Sequence, residues 1–431
     1  MSIPARILAF TGLALSACFP SVLVGENPLG TDGPDSSTGP DSSTGPDPST
    51  GAPTSGDPGT GEPSEAVCGD GVVDGGEACD DGNDEPNDGC GVNCTRTGEV
   101  VWTVKGAGSI RGFATGADGT IYLCTFGVVN EPAFVRAFAP DGTELWSTSA
   151  PHFGELAVSP AGPIFLANPL TGIHSFTPDG ALVATWDPFP ELGIFGLAAT
   201  DDALYVGTGD PEIEGQLVVH RLDLATGAPV WEGRTPEGIT TIPEQLVIAG
   251  DRILVPGYLF TDEGRGSMLA AFDSGTGEML SLELEDPAAP AWSSLAVLGD
   301  GDLVLAGLAT DPDGLLVRRL SADFAEAWSD LTPASAGTSP RAERVAAGPQ
   351  GHIAVAGFDL ADNSSAIVRL LDGAGATLWS SRFASPQDDE RDGAVGVAFG
   401  PDHLVAGGTV DTQTEDGHGT SEWWLRRFAI D

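Results

Sequence analysis

Ser294–Trp328 reads SLAVLGDGDLVLAGLATDPDGLLVRRLSADFAEAW. It divides into four short strands. SLAV is the first, Asp300-Gly301 a tight turn, LVLAG the second, LLVRRL the third, and the fourth closes on Trp328. Asp-Gly between apolar runs signals a hairpin, because the turn needs positive φ and glycine adopts it without steric cost. Near-copies recur along the chain, so the repeat has to be read before any single element.

Seven second strands align: Ile121–Cys124, Ile164–Ala167, Leu204–Gly207, Ile253–Pro256, Leu303–Ala306, Ile353–Ala356 and Leu404–Gly407. Seven third strands follow, ending at Phe138, Phe176, Leu222, Phe272, Leu320, Leu371 and Phe428. Fourth strands carry Trp146, Trp186, Trp231, Trp328 and Trp379, with Met279-Leu280 standing in once. That leaves six fourth strands for seven units. The missing one is at the other end, where Gly98–Val104 repeats the apolar pattern of GTELW and GATLW. The expectation is an all-β, seven-bladed β-propeller over 98–431, closed by this N-terminal strand. Closing such a ring costs ~5 kcal/mol of chain entropy. Burial of Val100, Trp102 and Val104 at ~1.5–3 kcal/mol each offsets it and removes a sheet edge.

Composition agrees. Among 431 residues there are 60 Gly and 33 Pro, and only 19% are charged, which is rich in turns and poor in helix signals. Net charge is -45. Such a field excludes nucleic acid as a partner and favours cations. No apolar run reaches the ~18 residues a membrane-spanning helix needs.

Arg6, the apolar run Ile7–Leu15 and small residues before Cys18 read as an export signal over 1–17. The tetrad Leu15-Ser16-Ala17-Cys18 resembles a bacterial lipobox. The resemblance implies that Cys18 is acylated and becomes the first mature residue. Phe19 then implies transfer to the outer membrane, placing the protein in the cell envelope on the periplasmic or extracellular side. Residues 18–66 form the tether. GPDSST, GPDSST and GPDPST stand in register at 33–50, with little to bury, so a disordered, extended stalk is expected.

Residues 67–97 hold Cys68, Cys79, Cys90 and Cys94. In an exported chain these read as two disulfides, with three connectivities open. Only Cys90 and Cys94 are close enough in sequence for a zinc ligand pair, so a four-cysteine zinc site is disfavoured. Asp70, Asp74, Glu77, Asp80, Asp81 and Asp88 offer oxygen ligands for calcium, without EF-hand spacing. The pattern CGDG…E-x-CDDGN…DGC…C is similar to the cysteine-rich repeat of secreted myxobacterial proteins, a small structural module. LDLATGAPVW (222–231) and DSGTGEM (273–279) resemble quinoprotein-type propeller repeats, and LVLAG…VRRL and IAVAG…VRLL resemble exported bacterial propeller repeats. That likeness implies the fold, not the chemistry.

In such a propeller the first-to-second and third-to-fourth turns share one face and are short here. The second-to-third loops and interblade links share the other. Those are long and acidic: TGDPEIEG (208–215), YLFTDEGRGS (258–267), LATDPDG (308–314), DLADNSS (359–365), VDTQTEDGHGTSE (410–422) and the link ASPQDDERDG (384–393). Variable loops on a rigid scaffold are where binding is built. Asp210, Glu212, Asp262, Glu263, Asp311, Asp313, Asp359, Asp411 and Asp416 are the candidate binding face, for a polar or cationic protein or polysaccharide, with calcium as the candidate cofactor. The chain is expected to act as a monomer. The closing strand should enter from the short-turn face, so that the acidic loops point away from the anchor.

One column on the third strands, Arg136, His174, His220, Ala270, Arg318, Arg369 and Arg426, suits either an anion or ion pairs between blades. Catalytic signals are weak. The six histidines form no H-E-x-x-H, no G-x-S-x-G appears, and Cys124 aligns with small residues. No catalytic residue is assigned and the protein is read as a non-enzyme. The alternative is a quinone-dependent dehydrogenase, which needs a stacking tryptophan and a calcium site in the hub.

Overall fold

The computed structural model describes residues 70–73, 79–80 and 98–430, apart from segments at 128–131, 169–171, 191, 211–215, 238, 262–263, 286–289, 335–338, 360–364, 384–390, 402 and 414–418. The chain divides into two compact units, Met1–Pro63 and Ser64–Asp431, and every described residue lies in the second. The signal segment, Cys18 and the stalk lie outside the described residues.

Seven antiparallel sheets follow one another along the chain. Blade one spans 109–150, two 155–186, three 193–234, four 240–285, five 291–333, six 340–383, and seven 391–429 with 100–107. Each predicted second and third strand is present. The second strands are buried on both faces, since blades stack against each other: Ile164–Asn168 and Ile353–Asp359 are buried throughout. That explains why they read as continuous apolar runs rather than alternations. Fourth strands alternate, as in Glu144–Ala150, because one face meets solvent.

Strand Val100–Ala107 pairs antiparallel with Gly419–Ala429 and completes blade seven. Trp102 lies opposite Arg427 and Val104 opposite Leu425. The junction reproduces a covalent turn. In blade one, Gly142 donates its N–H to the carbonyl of Ala139 at 2.9 Å, and Ala139 donates to Thr143. At the closure Gly98 donates to Ala429 at 2.9 Å, and Ala429 donates to Glu99 at 3.0 Å. Gly98 has φ 79, against 86 at Gly142, so the start of the closing strand and the end of blade seven hold the same left-handed turn geometry without a covalent link between them.

Glycine at this turn position has a second use. The tryptophan of each preceding blade lies flat on it. A Cβ at Gly180 would sit 2.6 Å from Trp146, and one at Gly227 would sit 2.2 Å from Trp186. The same contact joins Trp102 to Gly142, Trp231 to Gly277, Trp328 to Gly375 and Trp379 to Gly98. Only the seam between blades four and five departs. There Met279 replaces the tryptophan, and Phe324, with φ 65, replaces the glycine.

Two features differ from the sequence reading. The first strand of blade four is split into Thr240–Pro243 and Val247–Ala249, both pairing with Arg252–Thr261. Glu244 still donates to the Pro256 carbonyl at 3.1 Å, but Pro256 has no N–H to return the bond, and the first piece ends there. The segments expected as long loops are also largely hairpin. Tyr258–Thr261 pair with Gly264–Ser267, and Val410–Gln413 pair with Gly419–Glu422. β-Branched and aromatic residues such as Tyr258, Phe260, Thr409 and Thr412 carry the ladder outward and satisfy the backbone.

Candidate functional site

The turns within blades fall on two faces, as expected. The closing strand starts beside Ala429, at the short-turn end, and reaches the opposite face where Gly108 donates to Ser421 at 2.7 Å. Thus Gly98 enters at the short-turn face, and the second-to-third connections gather at the other.

On that face Asp311 is exposed and Asp313 is half-buried opposite Thr310. The backbone of Asp210 ends its ladder opposite Gln216, and that of Asp411 pairs with Ser421 inside a ladder that runs on to Gln413. Glu212, Asp262, Glu263 and Asp416 lie outside the described residues. Asp359 behaves differently. Its carboxylate is buried and accepts from Arg382 Nη1 at 2.7 Å, tying the second strand of blade six to its fourth. It is a structural ion pair, because a buried carboxylate is kept charged only by a partner.

In the cysteine segment Cys79 is buried and disulfide-bonded; Cys68, Cys90 and Cys94 lie outside the described residues. The Asp80 carboxylate accepts from the N–H groups of Asp70 and Gly71, at 3.1 and 2.7 Å, while Asp70 accepts from Val72. Both aspartates fasten a turn. Asp74, Asp81 and Asp88 lie outside the described residues, and among those described no three acidic, histidine or cysteine side chains converge on a metal position.

The third-strand column resolves into local partners. Arg318 Nη1 meets Glu285 of the preceding blade at 2.7 Å, and its Nε meets Glu326 at 3.3 Å. Arg369 reaches back across a seam to Asp330 at 3.0 Å, whereas Arg136 pairs within its blade with Glu144 at 2.8 Å. His174 bonds Thr185 and His220 bonds Thr208, at 3.0 and 2.9 Å. Burial holds His220 neutral, with its pKa lowered to about 4. Cys124 is fully buried and burial pushes its thiol up to about 12, as suits a packing residue and not a nucleophile.

The hub carries a pattern the sequence did not expose. The first strand of five blades bulges at the same height, between Ile110 and Gly112, Ile194 and Gly196, Trp292 and Ser294, Ala342 and Arg344, and Ala394 and Gly396. Each bulge extrudes one residue: Arg111, Phe195, Ser293, Glu343 and Val395. Hydrogen bonds stitch this level together. Gln245 Oε1 accepts from Ser294 Oγ at 2.9 Å and from Leu295 N–H, and Ser294 Oγ accepts from Val345 N–H at 3.1 Å, linking blades four, five and six. A small residue opposite the bulge, namely Cys124, Gly207, Ala306, Ala356 or Gly407, was the available signal, but bulges leave no fixed sequence mark.

A quinone cofactor would need a tryptophan facing the hub. Of the nine tryptophans, six lie on outer strands and two on the third strand of blade seven. Trp292, on the first strand of blade five, is buried beneath the Arg318 guanidinium at 5.0 Å. The residues present do not fit that cofactor, and no step is derived through it.

Among solved structures, the WD40 repeats of RRP9 are 12% identical and align over 77% of this chain and 99% of theirs, with a TM-score of 0.53. This likeness supports the propeller fold alone. Quinohemoprotein alcohol dehydrogenase from Comamonas testosteroni aligns over 76% of each chain at 11% identity, with a TM-score of 0.46. Comparison with curated proteins finds no match. The family profile PQQ_2, described as outer membrane protein assembly factor BamB, matches residues 133–355, just over half the chain. With strands, blade order and family profile in agreement, the chain belongs to this quinoprotein-like β-propeller family.

Proposed function

We propose that the protein is an envelope-associated, non-enzymatic binding or scaffold propeller that engages its partner through the acidic face. The family supports the envelope setting, since its described member is an outer membrane assembly factor. One observation carries the reading: the closing strand enters at the short-turn face, while the protruding hairpins of blades four and seven rise from the opposite one. An anchor at Cys18 and a stalk to residue 66 would leave the acidic face outward, with the 67–97 segment held by disulfides. A protein or polysaccharide bearing positive or polar groups is the expected partner, since a chain of net charge -45 repels anions. Calcium is the cofactor to test at Asp70 and Asp80 and at the acidic face.

The test uses the full chain as bait on solubilised envelope fractions, with and without calcium. Replacing Asp262, Asp311, Asp313, Asp411 and Asp416 together by asparagine should abolish capture. Undiminished capture by that variant would end the proposal. Asp359→Asn is the contrasting variant: it should destabilise the fold rather than alter selectivity, because its carboxylate is spent on Arg382.

A further inference from the structure

The bulge level of the hub, just past Gly108 and so near the face where the second-to-third connections gather, holds a charged cluster. Arg111 of blade one and Glu343 of blade six are extruded there. Arg344 Nη2 stands 3.6 Å from Glu155 Oε2, and since these residues belong to blades six and two, the pair crosses the hub. Arg344 also donates through Nη1 to the Glu343 carbonyl at 2.9 Å. The side chains of the Arg344–Glu155 pair are partly exposed. Burial nonetheless pushes the carboxyls of Glu155 and Glu343 up, against the opposing pull of Arg344 and Arg111.

The donors are unevenly used. Among the described residues the Arg111 guanidinium has no hydrogen-bond or ion-pair partner within bonding distance. It lies over two phenylalanine rings instead, 5.5 Å from the centre of Phe126 and 5.9 Å from that of Phe153. Those rings are 4.7 Å apart and form a platform beneath it. Cation–π contact with the two rings occupies no N–H donor, so the Arg111 fork keeps its capacity to grip a carboxylate in two parallel bonds. Glu155 is already committed to Arg344. The remaining extruded residues, Phe195, Ser293 and Val395, are uncharged, and Phe195 is 37% exposed.

We infer that this collar is a binding site for a small monocarboxylate with an apolar body, its carboxylate gripped by Arg111 and its body set against the uncharged side of the hub. A single negative charge suits the site better than a dianion, because Glu155 and Glu343 share the level and repel a second charge.

Calorimetric titration of the full chain with benzoate tests this, with inorganic phosphate and tetramethylammonium as comparison probes. One saturable benzoate site per chain is expected. Arg111→Gln should weaken it at least tenfold, and Glu343→Gln should tighten it several-fold. A misfolded variant cannot tighten binding, so the second substitution keeps the test decisive if the first unfolds the hub. The inference is overturned by absence of saturable benzoate uptake, by phosphate or tetramethylammonium binding more tightly than benzoate, by unchanged affinity in Arg111→Gln, or by weaker affinity in Glu343→Gln.

Discussion

Six seams between blades are closed by a tryptophan lying on a glycine. At the seventh, Met279 stands at the tryptophan's position but packs toward blade three, and Phe324 stands at the glycine's position and packs into the seam between blades four and five. The bulk comes from opposite sides in the two cases. In the six regular seams the outer strand supplies it and the next blade's turn gives way. Between blades four and five the turn supplies it. The exchange has a cost. Phe324 holds a left-handed backbone that disfavours a side chain by ~1–2 kcal/mol. A cavity of about 160 Å³ opens at the irregular seam, lined by Trp292, Leu269, Arg318 and Phe324. The Arg318 ion pairs to Glu285 and Glu326 span the same place.

The comparison breaks most sharply at a regular seam. In Gly277→Val the first added carbon meets Trp231 at 2.4 Å, at a residue with φ 77. Overpacking and backbone strain together should cost ~3–5 kcal/mol in urea unfolding. A loss below ~1 kcal/mol would mean that the tryptophan does not lock the seam. At the irregular seam Phe324→Gly should cost ~2–3 kcal/mol for the lost contact, and Met279→Trp ~1–2 kcal/mol for crowding. Combined, they rebuild the regular pair, so a double-mutant cycle should return a favourable coupling of ~1–2 kcal/mol. Additive losses would show that the two positions do not share one volume.

A smaller effect separates the histidine blades from the arginine blades. His220 is neutral in the fold, with a pKa near 4 against an ordinary 6.5. The unfolded chain therefore binds the extra proton between those values, and stability falls as pH drops through that window. Between pH 7 and 5 this amounts to ~1–2 kcal/mol. His220→Gln should flatten the pH dependence of Tm over that range, while Arg136→Gln should leave it in place. An equally steep profile in His220→Gln would assign the slope to other groups.

Much of the fold was legible because blades bury their second strands on both faces. Ile353–Asp359 could hardly read as anything but a strand, and Trp102 carried the signature of the column it completes. The tryptophans were visible, but their glycine partners were not, since Asp141-Gly142 reads first as turn chemistry. Reading both columns together would have shown that tryptophan and glycine fail in the same seam. The split strand at Pro243 and the bulges at Arg111 and Glu343 left no periodic trace, because an inserted residue shifts register without changing composition. For the same reason the acidic face could be drawn from loop sequences, while the hub could not. Asp359 shows the limit of loop reading, since its neighbours in sequence gave no sign of Arg382 across the blade.

Ring closure by the chain's N-terminal strand fixes the orientation of both faces, and amide hydrogen exchange followed by mass spectrometry tests it most directly. The account predicts that amides of Val100–Ala107 exchange as slowly as those of Gly419–Ala429, and that both are released in one cooperative step. Fast exchange of 100–107 while the rest of blade seven stays protected would contradict it.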